Sequence, residues 1–223
     1  MGSVIGEILP LALGIAISPV PIIAAILMLL SPRARATSVG FLAGWVLGVI
    51  VAVTAFTLAS SLLPESDDDA SKPIAGAIKI VLGLLLLLLA IKQWRSRPTG
   101  TTEPPLPKWM SAIDTMTAAR GLVLGFALSA LNPKNLLLGV AAGVAIGGGA
   151  LGAGGSTLVI AIFTVIAAST VAVPVIGYLA ASERMAGPLE GLRAWLVHNN
   201  STVMAVLLLV MGVVLVGKGI GSF

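Results

Sequence analysis

The sequence predicts an all-α integral membrane protein with six transmembrane helices, built as two inverted three-helix repeats in which helices one and four are broken. Three observations carry this. Of the 223 residues, 57% are hydrophobic and 10% charged, and mean hydropathy is strongly positive, which is the composition of a membrane protein. The apolar residues fall into six stretches of about 20, the length at which a helix crosses the hydrocarbon. Prolines interrupt the first and fourth stretches at corresponding depths, and a long polar linker separates three spans from three.

The spans are expected at 4–30, 39–63, 73–91, 121–147, 157–180 and 202–216. Val, Ile and Ala content alone would also suit buried strands, and length decides for helices. The N-terminus, Met1 to Glu7, lacks the basic region of a signal peptide and carries an acid, so the first segment reads as a retained span. In span two, Gly40, Gly44 and Gly48 form a ladder of small residues suited to close helix packing. The unbroken run Leu84 to Leu89 predicts that span three faces lipid along much of its surface. Pro174 predicts a third kink, in span five, and the glycine-rich stretch 143–155 reads as an external turn. His198 is placed in a polar loop with Asn199 and Asn200.

Between spans three and four, residues 93–119 form the only long linker. Pro98, Pro104, Pro105 and Pro107 make its first half extended. Residues 111–119 suggest a short amphipathic surface helix, with Trp109 as an interfacial anchor. The chain thus divides into 1–92, 93–119 and 120–223. Three spans per half require that repeats, if present, be inverted. Gly14-Ile15-Ala16-Ile17-Ser18 echoes Gly125-Phe126-Ala127-Leu128-Ser129 from glycine to serine, each followed by a proline-containing break. Aligning Pro19 with Pro133 instead needs a three-residue shift.

Basic residues sort by side. Arg33, Arg35, Lys92, Arg95, Arg97, Lys108, Arg120, Arg184 and Arg193 fall on one face. Lys72, Lys79, Lys218 and the acidic run Asp67-Asp68-Asp69 fall on the other. The positive-inside rule makes the arginine-rich face cytoplasmic and both termini extracytoplasmic, in a multi-pass protein of the inner (plasma) membrane.

Asn132-Pro133-Lys134-Asn135 is the most informative segment, because it lies inside a long apolar stretch. Proline frees carbonyls near mid-membrane, and an ammonium at that depth costs several kcal/mol unless it finds water or a partner. Backbone irregularity there is tolerated only inside protein or beside an aqueous cavity. Pro19 and Pro133 each lie about 20 Å into their spans by helix rise. Two such breaks in inverted halves point to a transporter site. The candidate substrate-binding residues are Ser18, Pro19, Pro21, Ser129, Asn132, Pro133, Lys134 and Asn135. Lys134 supplies a point charge for a carboxylate, sulfate or phosphate. The plainer reading is that the carboxamides repair the kink while Lys134 snorkels to a vestibule.

Other chemistries find little support. One histidine and no cysteine make no metal site, and no nucleophile, base and orienter set suggests an enzyme. No cofactor and no nucleic-acid partner are expected. No acid falls in the middle of a span, Glu7 being about one turn inside span one, which argues against a proton relay and a naked-cation site.

Three segments resemble a known family. They are Ser18-Pro19-Val20-Pro21, the loop Ser31-Pro32-Arg33-Ala34-Arg35-Ala36 leading to Gly40-Phe41-Leu42-Ala43-Gly44-Trp45, and Ala130-Leu131-Asn132-Pro133-Lys134-Asn135-Leu136-Leu137-Leu138. All three are similar to the GAP family, the glycopeptidolipid- and sulfolipid-addressing membrane proteins of actinobacteria, within the lysine-exporter (LysE) superfamily. The similarity covers the whole chain. It implies two inverted three-helix repeats and movement of a lipid or glycolipid to the cell surface. Amino-acid exporters of that superfamily carry a Pro-Gly-Pro type break where this chain has Ser18-Pro19-Val20-Pro21, which argues against amino-acid export. The expected function is an exporter of an anionic amphiphile, a cell-envelope lipid or glycolipid, working by alternating access among membrane lipids. The alternatives are a small-solute exporter for amino acids or metabolites, and a non-transporting accessory subunit of a lipid-export assembly that docks through 93–119. Homo-oligomerisation is left open.

Overall fold

A computed structural model describes residues 1–61, 71–97, 113 and 115–223. The helices are α1 (Gly2–Ala16), α2 (Pro19–Leu29), α3 (Ala34–Ser61), α4 (Ser71–Arg95), α5 (Ala118–Ala130) and α6 (Pro133–Gly147). A last helical stretch, Gly152–Ile220, is divided by non-helical dihedrals at Ala181 into α7 (Gly152–Ser182) and α8 (Arg184–Ile220). Four of these are long and apolar enough to cross a membrane. The pairs α1–α2 and α5–α6, bent by 51° and 62°, bring the total to as many as six spans. Each bend falls at an expected break, just before Pro19 and just before Pro133.

Helix packing follows the small residues. A Cβ on Gly44 would stand 1.9 Å from the Leu122 carbonyl oxygen, and one on Gly125 would stand 2.2 Å from that of Phe41. The backbones of α3 and α5 therefore touch, as the ladder on span two predicts. Further along, Gly143 packs on Phe56 and Thr57, and Gly147 meets Ser60, so unbroken α3 lines both members of the bent pair α5–α6. Trp45 is 1% exposed, stacks on Phe41 and donates its indole N–H to the Ala167 carbonyl at 3.3 Å. That bond ties α3 to α7. On α4, Leu82, Leu86 and Ala90 are buried while Val81, Leu84, Leu88 and Ile91 are exposed. One face of α4 thus presents apolar side chains outward, as expected for lipid contact.

Several boundaries differ from the sequence reading. Residues 184–201 are helix, not loop, because Leu189 and Leu196 are buried two turns apart and Glu190 pairs with Arg193 one turn on. His198 sits exposed on that helix. Pro174, where a kink is expected, lies within continuous helix. Val171 and Val175 beside it are fully buried, and helical dihedrals continue to the kink at Ala181. The glycine-rich turn contracts to residues 148–151, with Ala150 at φ 48° and Gly152 at φ 63°, because Gly143 and Gly147 are consumed in packing. Ala118 and Ala119 belong to α5, whose N-cap Thr117 is extended, so the helix expected over 111–119 is interrupted at Thr117, and Ser111, Ala112 and Asp114 lie outside the described residues. Leu62, Leu63, the run Asp67 to Asp69, Lys108, Trp109 and the linker prolines lie outside the described residues.

Candidate functional site

The two helix breaks have the same construction. Ser18 is the extended N-cap of α2 with Pro19 following it, and Asn132 is the extended N-cap of α6 with Pro133 following it. Ahead of each, Ile17 and Leu131 close the preceding helix, their amides donating to Leu13 and Ala127. All these pairs are 114 positions apart, so the two breaks match each other in the proline register. The Gly-to-Ser echo, three residues out of phase, places Ser129 inside α5 rather than opposite Ser18.

A proline at N1 preserves the new helix but leaves the old one with unmatched carbonyls. Gly14 and Leu128, again 114 apart, would accept from residues 18 and 132 in an unbroken helix. The Gly14 carbonyl instead accepts from the Lys134 ammonium at 2.7 Å. The Leu128 carbonyl accepts from the Asn135 carboxamide at 3.1 Å. Ala16 receives the Thr170 hydroxyl of α7. Adjacent residues of α6 therefore close both breaks, one across to α1 and one back to α5. Their counterparts in the first half, Val20 and Pro21, are apolar.

Lys134 is 3% and Asn135 2% exposed. The 2.7 Å contact is a charge-assisted bond, and it sets a cation at the C-terminal, negative end of the α1 dipole. One carbonyl leaves two ammonium protons for another acceptor. The Asn135 side-chain oxygen is buried without a partner. Nearby amide donors are few. Pro19 and Pro21 have none, Ile22 donates to the Ser18 carbonyl, and the Lys134 amide donates to the Asn132 side chain at 3.0 Å. The ammonium is the one full charge at the breaks among the described residues.

The expected site residues are only partly gathered. Lys134 faces α1, and Pro19, Pro21 and Ser18 are buried at the first break. Asn132 serves as a cap. Pro133 lies exposed. Ser129 bonds to the Phe126 carbonyl, and its hydroxyl fills the space beside Gly48 of α3, away from α1. Asn135 carries a local test. Asn135→Leu leaves the Leu128 carbonyl unmatched, and the expected cost is about 1–3 kcal/mol. Thermal unfolding in detergent reads this, and an unchanged melting temperature would remove Asn135 from the repair of the break.

Sequence reasoning missed a groove of about 530 Å³ between α1 and α8. Pro10, Leu13, Gly14 and Ile17 form one wall, and Val203, Val206, Val210 and Met211 the other, with Trp195, Asn199 and Thr202 at one end. It opens on the outer surface, where Leu13, Ile17, Val206 and Val210 are each exposed by roughly half. Its volume suits a small-molecule or single-chain ligand. Gly14 belongs both to this wall and to the Lys134 bond, so the apolar groove and the buried cation meet at one residue. Nothing in the composition of α8 marks which of its faces does this.

The bundle and its breaks define a polytopic membrane protein with a polar, proline-interrupted centre. The chain belongs to the sulfolipid-1-addressing protein (Sap) family, SfLAP, whose family model matches residues 8–221. No curated protein and no solved structure matches it.

Proposed function

We propose that this protein moves an anionic amphiphile, a cell-envelope lipid or glycolipid, across the inner membrane. The observation that carries the reading is the junction at Gly14, where a buried ammonium adjoins an outward-facing apolar groove. The head group meets Lys134, displacing or sharing its bond to the Gly14 carbonyl, and a tail lies along the groove between α1 and α8. A polar solute would gain little from such walls, and for that reason we favour the lipid over an amino acid or metabolite. The family's name, with its reference to a sulfolipid, supports the same substrate class. The protein acts without covalent chemistry and is not an enzyme.

Movement is by alternating access between two inverted repeats, 1–92 and 120–223. The constant 114-residue offset between the caps, prolines and orphan carbonyls of the two breaks supports this. So does the resemblance to the LysE superfamily. The arginine-rich face is cytoplasmic and both termini are extracytoplasmic.

Filling the groove tests the proposal. Val206→Trp places a large ring where the tail would lie, on a residue 50% exposed, so folding should be little affected. Complementation of a deletion strain with this variant is expected to leave envelope lipids unexposed at the surface. Normal surface lipid with the groove filled would rule out the tail path.

A further inference from the structure

The same α1–α8 seam continues past the groove into a charged cluster. Glu7 shares a face of α1 with Pro10 and Gly14, and Lys218 shares a face of α8 with Met211, by helical spacing. The Lys79 ammonium of α4 meets the Glu7 carboxylate at 3.1 Å. The Lys218 ammonium reaches the Glu7 main-chain carbonyl at 3.4 Å. Two cations thus converge on one residue, Lys79 at its carboxylate and Lys218 at its backbone, and among the described residues Lys218 has no carboxylate partner. The cluster is partly sheltered, with the Lys79 and Glu7 side chains 13% and 31% exposed. Seven residues separate Gly14 from Glu7, or about 10 Å along the helix.

We infer that Lys79 and Lys218 form a second station for the anionic head group of a lipid whose tail occupies the groove. This rests on the proposed function and adds the place where the head group leaves the membrane interior. Charge complementarity chooses the occupant, since the cluster carries a net positive charge at the end of an apolar track. Lys218 binds the head group directly. Glu7 competes for Lys79, so the acid holds the station closed to weakly charged ligands and is displaced by a sulfate or phosphate ester. A purely structural latch among α1, α4 and α8 has the opposite dependence on Glu7.

The test uses the purified full chain in mixed micelles with phosphatidylglycerol bearing a photoreactive tail, and phosphatidylcholine with the same tail. The readout is tail cross-linking to peptides containing Leu13 or Val210. Lys218→Gln is expected to lower the preference for the anionic lipid about fivefold, the effect of one interfacial lysine. Glu7→Gln is expected to raise it by a similar factor. Excess inorganic phosphate should compete weakly, because it lacks the tail. Competition at full strength would mean a free-anion site and overturn the lipid assignment. Strong cross-linking that ignores Lys218, or that falls in Glu7→Gln, overturns the station and leaves the groove standing. Absence of tail cross-links from either lipid would remove the groove and the station together.

Discussion

Lys134→Met is expected to lower export of the anionic substrate about a hundredfold while leaving a folded protein. The transport effect is that of deleting one partner from a buried charge contact, some 2–5 kcal/mol. Stability should change little, because two terms oppose each other. Removing the ammonium relieves a burial cost of about 3 kcal/mol, whereas the Gly14 carbonyl loses its partner, at about 1–3 kcal/mol. Lys134→Arg keeps the charge but presents a larger, planar group to a position that is 3% exposed, and should recover little transport. Surface lipid and melting temperature measured on the same variants separate the roles. Full export by Lys134→Met would make the residue a repair of the α1 break and nothing more.

The second large effect is on assembly. Gly44→Val should abolish the folded protein, because its first added carbon already collides with the Leu122 backbone carbonyl. Overpacking a well-packed core costs about 1–3 kcal/mol, and here the obstacle is backbone on a neighbouring helix, so α3 and α5 must separate along their length. Exposed Gly217, which has nothing within 4 Å of a Cβ, should accept alanine with membrane yield unchanged. Yield after detergent extraction and size-exclusion profile measure both. A monodisperse Gly44→Val protein would contradict the packing described for this pair.

The broken spans were legible in the sequence because their signal is local. A proline, a capping residue and a charge inside an apolar run each violate a rule that lipid enforces. The glycine ladder is legible for the same reason, although its partners on α5, Ala118, Leu122 and Ser129, are not. The register between the two breaks is ambiguous in the sequence, since glycine and serine identities align at one offset and the prolines at another, and the helix caps follow the prolines. The first part of α8 was hidden by charges, Glu190 and Arg193, that read as loop until their one-turn spacing is considered beside buried Leu189 and Leu196. In the sequence Lys79 and Lys218 serve only as an orientation signal, and Glu7 only as an acid about one turn inside span one. Their meeting joins residues 72 and 211 positions apart, which no local pattern encodes.

Lipid translocation by the purified protein in sealed proteoliposomes tests the central claim most directly. Labelled phosphatidylglycerol and labelled phosphatidylcholine are loaded in one leaflet, and their appearance in the other is followed with and without protein. The account predicts protein-dependent movement of the anionic lipid, slower movement of the zwitterionic one, and loss of that preference in Lys134→Met. Proteoliposomes that pass amino acids but neither lipid would contradict it, as would protein that moves no substrate until a partner docking through 93–119 is added.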